Sequence, residues 1–338
     1  MKDLLLITPP FTQLNTPYPA TAYLKGFLNT KNISSYQIDL GIEVILEIFS
    51  KKGVTQIFNV KPENLSENTQ RIFALKEEYI KTIDEVIAFL QNKKPTLARQ
   101  ICSMNFLPEA SRFNQLDDME YAFGNMGLQD KAKHLATLYL EDLSDYIIEN
   151  VDENFGFSRY AERLGRSANS FDELYKKLQS DKTFVDNFTL EILNKKLLET
   201  QPKLVCFSVP FPGNLYSAFR CAQYIKNHYP NIKTAFGGGF ANTELRDLKD
   251  KRVFEFFDFI TLDDGELPIE LLFENVCHSE QSEASLFKRT FLLENGEVVY
   301  KNNSERHDYK QAEIGTPDYT DLPLDQYISV IEIANPMH

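Results

Sequence analysis

Residues 4–40 read LLLITPPFTQLNTPYPATAYLKGFLNTKNISSYQIDL, and this stretch decides the fold. The apolar run 4–8 is typical of a strand that is covered on both faces. Two prolines end that run, and a loop rich in Thr, Asn and Pro continues to Pro19. The apolar residues after the loop recur at helical spacing, and 36–40 predicts a second strand. Because a connection between parallel strands crosses over right-handedly, the stretch predicts a β-α-β unit.

The same alternation of strand and helix returns after residue 202. The pattern predicts strands at 204–208, 232–236 and 259–262, helices at 215–229, 241–248 and 266–276, and a hairpin formed by 286–293 and 298–300. Together with the first unit, this predicts an α/β fold that is Rossmann-like and, more closely, flavodoxin-like. We expect a five-stranded, mostly parallel sheet with helices on both faces.

Residues 41–202 carry a different pattern. Their apolar side chains recur at helical spacing, most clearly over 72–90 and 135–147. We therefore expect a large all-helical insertion after the second strand. The predicted domains are a discontinuous Rossmann domain at 1–40 and 203–277, a helical insertion at 41–202, and a hairpin with a linker at 278–338.

Charge and composition exclude several classes of function. The 338 residues include 36 Lys and Arg against 49 Asp and Glu, a net charge of −13, so nucleic acid and anionic membranes are not expected as partners. No apolar run reaches the length of a membrane span, and the N-terminus does not resemble a signal peptide. Four scattered cysteines without a C-x-x-C pair predict a reduced, cytoplasmic protein, and five scattered histidines predict no metal site built from protein ligands.

The candidate site residues follow the predicted strands. In doubly wound sheets ligands bind beyond the carboxyl ends of the strands, so the segments that stand there are the candidates. They are Thr8, Pro9 and Pro10 after the first strand, Ser208, Val209, Pro210 and Phe211 after the third, Gly237, Gly238 and Gly239 after the fourth, and Asp264, Gly265 and Glu266 after the fifth.

Each of these segments also has a purely structural interpretation. The first loop can be a rigid surface loop with a helix start at Pro19, and the Pro-Gly turn can precede a helix that is N-capped by Asn214. Carboxylates at 263–266 are favoured at a helix start by capping and by the helix dipole. The functional alternatives are a hydroxyl donor at the third strand, close approach of a ligand to the glycine backbone, and hydrogen bonds from the carboxylates to a ligand. Cys206 is interpreted as a small buried apolar residue of the third strand.

The order of these segments resembles a known family. TPP at 8–10, PYPATAYL at 17–24, VCFSVPF at 205–211, GGG at 237–239 and DDGELP at 263–268 are similar to the N-terminal cobalamin-binding domain of radical S-adenosylmethionine enzymes. The resemblance covers about 1–40 and 203–277.

The resemblance implies a cobalamin whose corrin ring lies over the strand ends. Its dimethylbenzimidazole tail then enters between the sheet and a helix, with Ser208 near the tail and Gly237 and Gly238 making room for it. The chain departs from the cobalamin motif D-x-H-x-x-G, because the loop after the first strand has no histidine. This implies a base-off cobalamin without a protein histidine ligand.

The resemblance also implies a second, catalytic part. Family members carry C-x-x-x-C-x-x-C, which holds a [4Fe–4S] cluster that binds S-adenosylmethionine, and this sequence contains no such triplet. The apolar run 328–333 predicts a strand whose partners follow it. We therefore expect an N-terminal fragment that does not catalyse alone. Its partner is the missing C-terminal radical S-adenosylmethionine domain, the cluster and S-adenosylmethionine belong to the full-length parent, and the substrate stays open.

Two other functions compete with this one. The acidic helical insertion could serve docking in a degenerate scaffold for protein interaction that binds no cofactor. A nucleotide-dependent enzyme would need a phosphate-binding loop after the first strand, and Pro9 and Pro10 supply no N–H groups there.

Overall fold

The computed structural model describes residues 2–62, 65–103, 105–118, 127–166, 171–277 and 286–331. Internal contacts divide the chain into two compact units. The first comprises Met1–Thr12, Pro17–Gly41 and Ser158–Leu322, and the second comprises Gln13–Thr16, Ile42–Phe157 and Pro323–His338. Residues 158–202, which the sequence pattern assigns to the helical insertion, thus cluster with the first unit.

The first unit contains one sheet of seven strands in the order β2-β1-β3-β4-β5-β6-β7. The strands are β1 Leu4–Thr8, β2 Ser35–Asp39, β3 Leu204–Ser208, β4 Lys233–Gly237, β5 Phe259–Thr261, β6 Thr290–Glu294 and β7 Glu297–Lys301. The first five are parallel, in the order of doubly wound flavodoxin-like sheets, and β6 and β7 are antiparallel. The predicted α/β class and mostly parallel sheet are confirmed. The sheet has seven strands rather than five because the predicted hairpin pairs with β5, with Ile260 opposite Phe291.

Thirteen α-helices lie in the described part of the chain. They are α1 Ala20–Thr30, α2 Leu40–Ile48, α3 Lys51–Asn59, α4 Glu67–Ala74, α5 Lys76–Leu90, α6 Ala98–Cys102, α7 Leu128–Asn150, α8 Glu162–Arg166, α9 Asp172–Gln179, α10 Phe184–Thr200, α11 Pro212–His228, α12 Gly239–Glu244 and α13 Glu266–Cys277. The described residues between β2 and β3 form α2 to α10 and short 3₁₀ turns. Within these described ranges, no helix combines the length and apolar character that crossing a membrane requires.

The two faces of the sheet are packed differently. On one face, Leu4, Leu6 and Leu204 belong to a core cluster with Phe27 of α1 and Ile269 of α13. The opposite face carries a cluster of phenylalanine rings at edge-to-face or tilted angles with centroids 5.0–6.2 Å apart, formed by Phe207, Phe219, Phe236 and Phe257. The phenylalanine face is therefore filled by large rings.

Residues 316–321 form a segment that is fastened to α1. The backbone N–H of Asp318 donates to the carbonyl of Ala22 at 2.9 Å, and Gln37 Nε2 donates to the carbonyls of Asp318 and Thr320 at 2.6 and 2.8 Å. The buried ammonium of Lys25 forms an ion pair with Asp321. The 316–321 segment thus holds α1 through backbone and charged contacts and β2 through the Gln37 amide.

A buried ion pair joins α10 to α11. The Arg220 guanidinium lies 3.0 Å from Asp186 Oδ2, and both side chains are less than 5% exposed. Arg220 also donates to the carbonyls of Lys177 and Leu178 at 3.1 and 2.9 Å, at the end of α9. Tyr216 donates its hydroxyl to the same Asp186 oxygen at 2.8 Å. Because these charges are out of water, each depends on its partner.

We expect Arg220→Met to lower the free energy of unfolding by about 3–5 kcal/mol, because it leaves the Asp186 carboxylate buried without its cation. Adding Asp186→Asn, which removes the charge, should recover part of that loss. Urea unfolding followed by circular dichroism measures both variants. If the free energy of unfolding of Arg220→Met alone lay within about 1 kcal/mol of that of the wild type, this role of the ion pair would be contradicted.

The regular secondary structure among the described residues of the second unit is all helical. Tyr79, Tyr139 and Tyr146 are fully buried in it, and the Asp142 carboxylate accepts hydrogen bonds from the Tyr79 hydroxyl at 3.3 Å and from the Ala110 N–H at 3.1 Å. Burial raises the pKa of Asp142 to about 6. These contacts belong to the packing of the unit.

The described part of the predicted C-terminal strand, 328–331, does not form a strand. Residues 328–331 have no strand partner in the described chain, and 332 and 333 lie outside the described residues. The N–H of Ile328 instead donates to the carbonyl of Leu14 at 2.9 Å, and that of Ser329 to the carbonyl of Leu90 at 2.8 Å. The apolar run therefore satisfies its backbone by loop contacts within the second unit.

Candidate functional site

A pocket of about 330 Å³ lies at the carboxyl edge of the parallel strands. Its walls come from β1, β3, β4 and β5 on the sheet side and from α1 and α13 on the helix side. All these elements belong to the first unit. The pocket thus has the location at which doubly wound sheets bind ligands, and its volume is in the range of small-molecule sites.

Small side chains on one face of the central strands create this space. Cys206 and Ser208 of β3 are in register with Ala235 and Gly237 of β4, and all four residues line the pocket. Because side chains alternate along a strand, these residues share one face, and Phe207 and Phe236 belong to the other. The pocket exists because the face toward α1 and α13 lacks large side chains at these positions.

The inner end of the pocket is apolar. Leu6, Ala235, Ile269 and Leu272 line it and also belong to the buried core cluster. Burial in these surroundings raises the pKa of the Cys206 thiol, with Cys277 adding to the shift, so the thiol stays neutral at physiological pH. Cys206 itself is partly exposed, because it borders the pocket and is not enclosed as the sequence predicted.

One buried hydroxyl on the pocket wall lacks a protein partner. Thr21 of α1 is 1% exposed, lines the pocket, and its Oγ1 has no hydrogen bond with any described residue. Buried polar groups are usually hydrogen-bonded, and an unmet one costs about 1–3 kcal/mol. Because the oxygen itself is buried from solvent, a molecule in the pocket could reach it only after a shift of the wall.

The mouth of the pocket is acidic. Asp263, Asp264 and Glu266 border it at the start of α13. Asp263 forms an ion pair with Arg246, and Arg289 donates to the carbonyl of Asp264 at 3.0 Å. This loop is therefore held in place, while Asp264 and Glu266 give the mouth a negative character that disfavours polyphosphates.

The structure brings together six of the thirteen residues that the sequence predicted for the site. Those that line the pocket are Ser208, Gly237, Gly238, Asp264, Gly265 and Glu266. The other seven do not line it: Thr8, Pro9, Pro10, Val209, Pro210, Phe211 and Gly239. Phe211 is half exposed and lies edge-on to Tyr18, a pocket residue, with ring centroids 5.7 Å apart.

The glycines at 237–239 also allow close packing that a side chain would prevent. Gly238 has φ of 107°, and a Cβ there would lie 2.8 Å from the Val209 carbonyl oxygen. A Cβ on Gly239 would lie 2.7 Å from the carbonyl oxygen of Pro210. A Cβ on Gly237 would meet the Thr261 hydroxyl at 2.7 Å, on the pocket side. The loops after β3 and β4 thus touch directly, in addition to any room the glycines leave for a ligand.

Asn214 does not cap α11. The helix begins at Pro212, and the buried Asn214 amide donates to the carbonyls of Pro9 and Phe11 at 2.8 and 2.7 Å. The alternative in which Asn214 caps the helix is therefore wrong, because its side chain instead binds the loop after β1.

Several pocket residues were missed by the sequence analysis. The first turns of α1 supply Thr21, Tyr23 and Leu24, and the strands supply Cys206, Ala235 and Thr261. The alternation of small residues at 206, 208, 235 and 237 is a signal in the sequence that could have indicated the open face.

No family model, curated protein or solved structure matches the chain. Among the described residues, no group of three or more His, Cys, Asp or Glu side chains could hold a metal ion.

We expect Gly238→Ala to destabilise the protein by about 2 kcal/mol or more, because alanine is strained at this φ and its Cβ collides with backbone. Gly265→Ala is the matched control: its Cβ would meet only the flexible Leu24 side chain, at 3.2 Å, so a loss under about 1 kcal/mol is expected. Thermal unfolding compares the two. Equal losses would contradict the backbone role of Gly238.

Proposed function

We propose that the chain is the cobalamin-binding accessory module of a radical S-adenosylmethionine enzyme. The observation that carries the proposal is the pocket at the carboxyl edge of the parallel strands, which forms a slot between the sheet and helices α1 and α13. It coincides with the place where the family resemblance puts the trailing base of cobalamin. The flavodoxin-like core with a helical insertion after β2 is part of the same proposal, as is a cytoplasmic location.

The residues of the slot suit a cobalamin. Its lining of small and aliphatic side chains fits a flat aromatic base, and the Ser208 hydroxyl borders the same space. At the mouth, Asp264 and Glu266 can accept hydrogen bonds from the amide groups that surround a corrin ring. When bound, cobalamin supplies a cobalt centre able to carry a methyl group. The chain's share is to bind the cofactor, orient it and keep water from the buried base.

The competing functions suit the pocket less well. A scaffold without a cofactor is favoured by side chains that fill the crevice, whereas about 330 Å³ stays free between the described walls. A nucleoside polyphosphate would meet the carboxylates of Asp264 and Glu266 at the mouth. Catalysis, the [4Fe–4S] cluster and S-adenosylmethionine belong, in this proposal, to the partner radical domain.

Purified protein mixed with hydroxocobalamin should retain the coloured cofactor on gel filtration, with an altered visible spectrum. Cys206→Phe should weaken binding at least tenfold, because the ring occupies the slot. Ser208→Leu, nearer the mouth, tests the same space with a smaller change to the core. Cys102→Phe is the matched control, since Cys102 lies on α6, outside the pocket, and should leave binding unchanged. No retention by the folded wild type at tens of micromolar cofactor would overturn the proposal.

The bound cofactor should carry no protein nitrogen on its cobalt. None of the described histidines, His134, His228 and His307, lines the pocket, while His278 and His338 lie outside the described residues. After reduction to the Co(II) form, electron paramagnetic resonance should show a base-off spectrum without nitrogen splitting. A spectrum with nitrogen splitting would instead assign an axial nitrogen ligand and contradict this prediction.

A further inference from the structure

Strand β7 lies at one edge of the sheet and, among the described residues, pairs only with β6. Strand edges present unpaired N–H and C=O groups, and natural proteins usually block them with proline, a bulge or a covering segment. β7 reads EVVYK and contains no proline. No backbone hydrogen bond from another described segment reaches its outer side. The edge of β7 is therefore open to a further strand.

The turn of the hairpin fixes which backbone groups of β7 point outward. Asn295 and Gly296 have φ values of 52° and 79°, as a two-residue type I′ turn requires, and the hydrogen bond of this turn closes the ladder at Glu297. Hydrogen-bonded and non-hydrogen-bonded pairs alternate along an antiparallel ladder, so every second residue from Glu297 onward bonds to β6. Val298 and Tyr300 therefore direct their N–H and C=O groups away from the sheet.

The opposite side of β6 gives the same assignment. The Leu262 N–H donates to the carbonyl of Arg289 at 3.0 Å, so the odd-numbered residues of β6 bond to β5 and the even-numbered ones to β7. The even-numbered residues of β6 are in register with the odd-numbered residues of β7. Val298 and Tyr300 thus carry two N–H and two C=O groups that have no partner in the described chain.

The same edge carries exposed apolar surface. Phe236, Ile260, Phe291 and Tyr300 are successive register partners, and they continue the phenylalanine face from β4 to β7. Along this row the exposed fraction rises from 0% at Ile260 to 6% at Phe291 and 46% at Tyr300. Leu293, on the same face of the hairpin, is 43% exposed. The apolar face thus ends at the edge with side chains that another strand would bury.

We propose that β7 is a dimer interface, at which two copies of the chain pair their β7 strands antiparallel around a two-fold axis through Val299. Val298 then lies opposite Tyr300 of the second copy as a hydrogen-bonded pair, so all the outward backbone groups of both strands are satisfied. The two sheets join into one continuous sheet. No residue of β7 lines the pocket, so the interface is independent of what the pocket binds.

The strand is complementary to itself in this register. Glu297 lies opposite Lys301 of the second copy at both ends of the pairing, in non-hydrogen-bonded pairs, where facing side chains are closest. Glu297 has no ion pair within the described chain, so each carboxylate gains a cation. Lys301 already pairs with Glu294 of its own hairpin, but that partly exposed pair contributes little. Val298 opposite Tyr300 is a favourable pair of a β-branched and an aromatic side chain.

Two other two-fold registers also set outward-pointing residues opposite each other. An axis at Val298 places Tyr300 against Gly296 of the turn, and an axis at Tyr300 places Val299 against Lys301. Neither sets Glu297 directly opposite a cation. Charge complementarity therefore selects the axis at Val299 and favours a second copy as the occupant of this edge.

Sedimentation velocity of the intact chain between about 1 and 100 µM measures the association. We expect the wild type to shift with concentration to twice the mass of the chain. Val298→Pro removes an outward N–H but no hydrogen bond of the hairpin, so it should stay monomeric with little change in the unfolding midpoint. A wild type that stays monomeric at about 100 µM would overturn the proposal.

Charge reversal tests the partner and the register together. Glu297→Lys and Lys301→Glu each place like charges opposite each other, and each should weaken dimerisation at least about tenfold. An equimolar mixture of the two variants should associate again, because every lysine at these positions then faces a glutamate of the other copy. A mixture that associates no better than either variant alone would contradict the pairing.

A cysteine on the two-fold axis reads out the position of the contact. Val299→Cys brings two thiols into a non-hydrogen-bonded pair with Cα atoms about 4.5 Å apart, within reach of a disulfide. Val298→Cys is the matched control, because its copies lie diagonally, more than about 7 Å apart. With oxidised glutathione, Val299→Cys should give a disulfide-linked dimer above the wild-type background on a non-reducing gel. A yield no higher than that of Val298→Cys would overturn the assigned register.

Discussion

Side-chain size on one face of β3 and β4 is the constraint on which the functional part of this molecule depends. The paired positions Cys206–Ala235 and Ser208–Gly237 leave a gap between the sheet and helices α1 and α13. The opposite face, with its interlocking phenylalanines, has no such vacancy at Phe207 and Phe236. A sheet filled equally on both faces would be better packed and would offer a ligand only its rim.

The surrounding loops are fixed by contacts between neighbouring strand ends. The amide of Asn214 binds the loop after β1, the loops after β3 and β4 touch at Val209 and Gly238, and Arg289 anchors the loop after β5. These contacts fix the backbone of the loops that surround the pocket. A site whose walls are already in place loses less conformational freedom when a ligand arrives, and this favours affinity.

Much of the fold could be predicted from local pattern. The short apolar runs of β1 and β3 and the turns that follow them specify strands, and the predicted bounds differ from the observed ones by only a few residues. The pairing of the hairpin with β5 could not be predicted, because the sequence pattern of 290–301 indicates two strands but not the strand with which they pair. The end of α12 at Glu244, rather than near Leu248, is likewise a matter of tertiary context.

The site was predictable only in part for the same reason. The strand ends indicated Ser208, Gly237 and the loop at 264–266, whereas the place of Thr21 on the pocket wall depends on how α1 packs on the sheet. The interpretation of Asn214 as a cap is wrong because a capping residue and a residue that binds a distant loop look alike in sequence. Such differences arise from packing between remote segments, which a single sequence does not display.

The fastening of α1 has a mechanical consequence. Thr21 and Leu24 face the slot, while Ala22, Lys25 and Asn29 on another face of the helix hold the 316–321 segment. A ligand that needs a wider pocket has to displace α1, and this displacement would strain the contact between Lys25 and Asp321, which lie 296 positions apart in the chain. Widening of the pocket and loosening of the contacts between α1 and the 316–321 segment are therefore coupled.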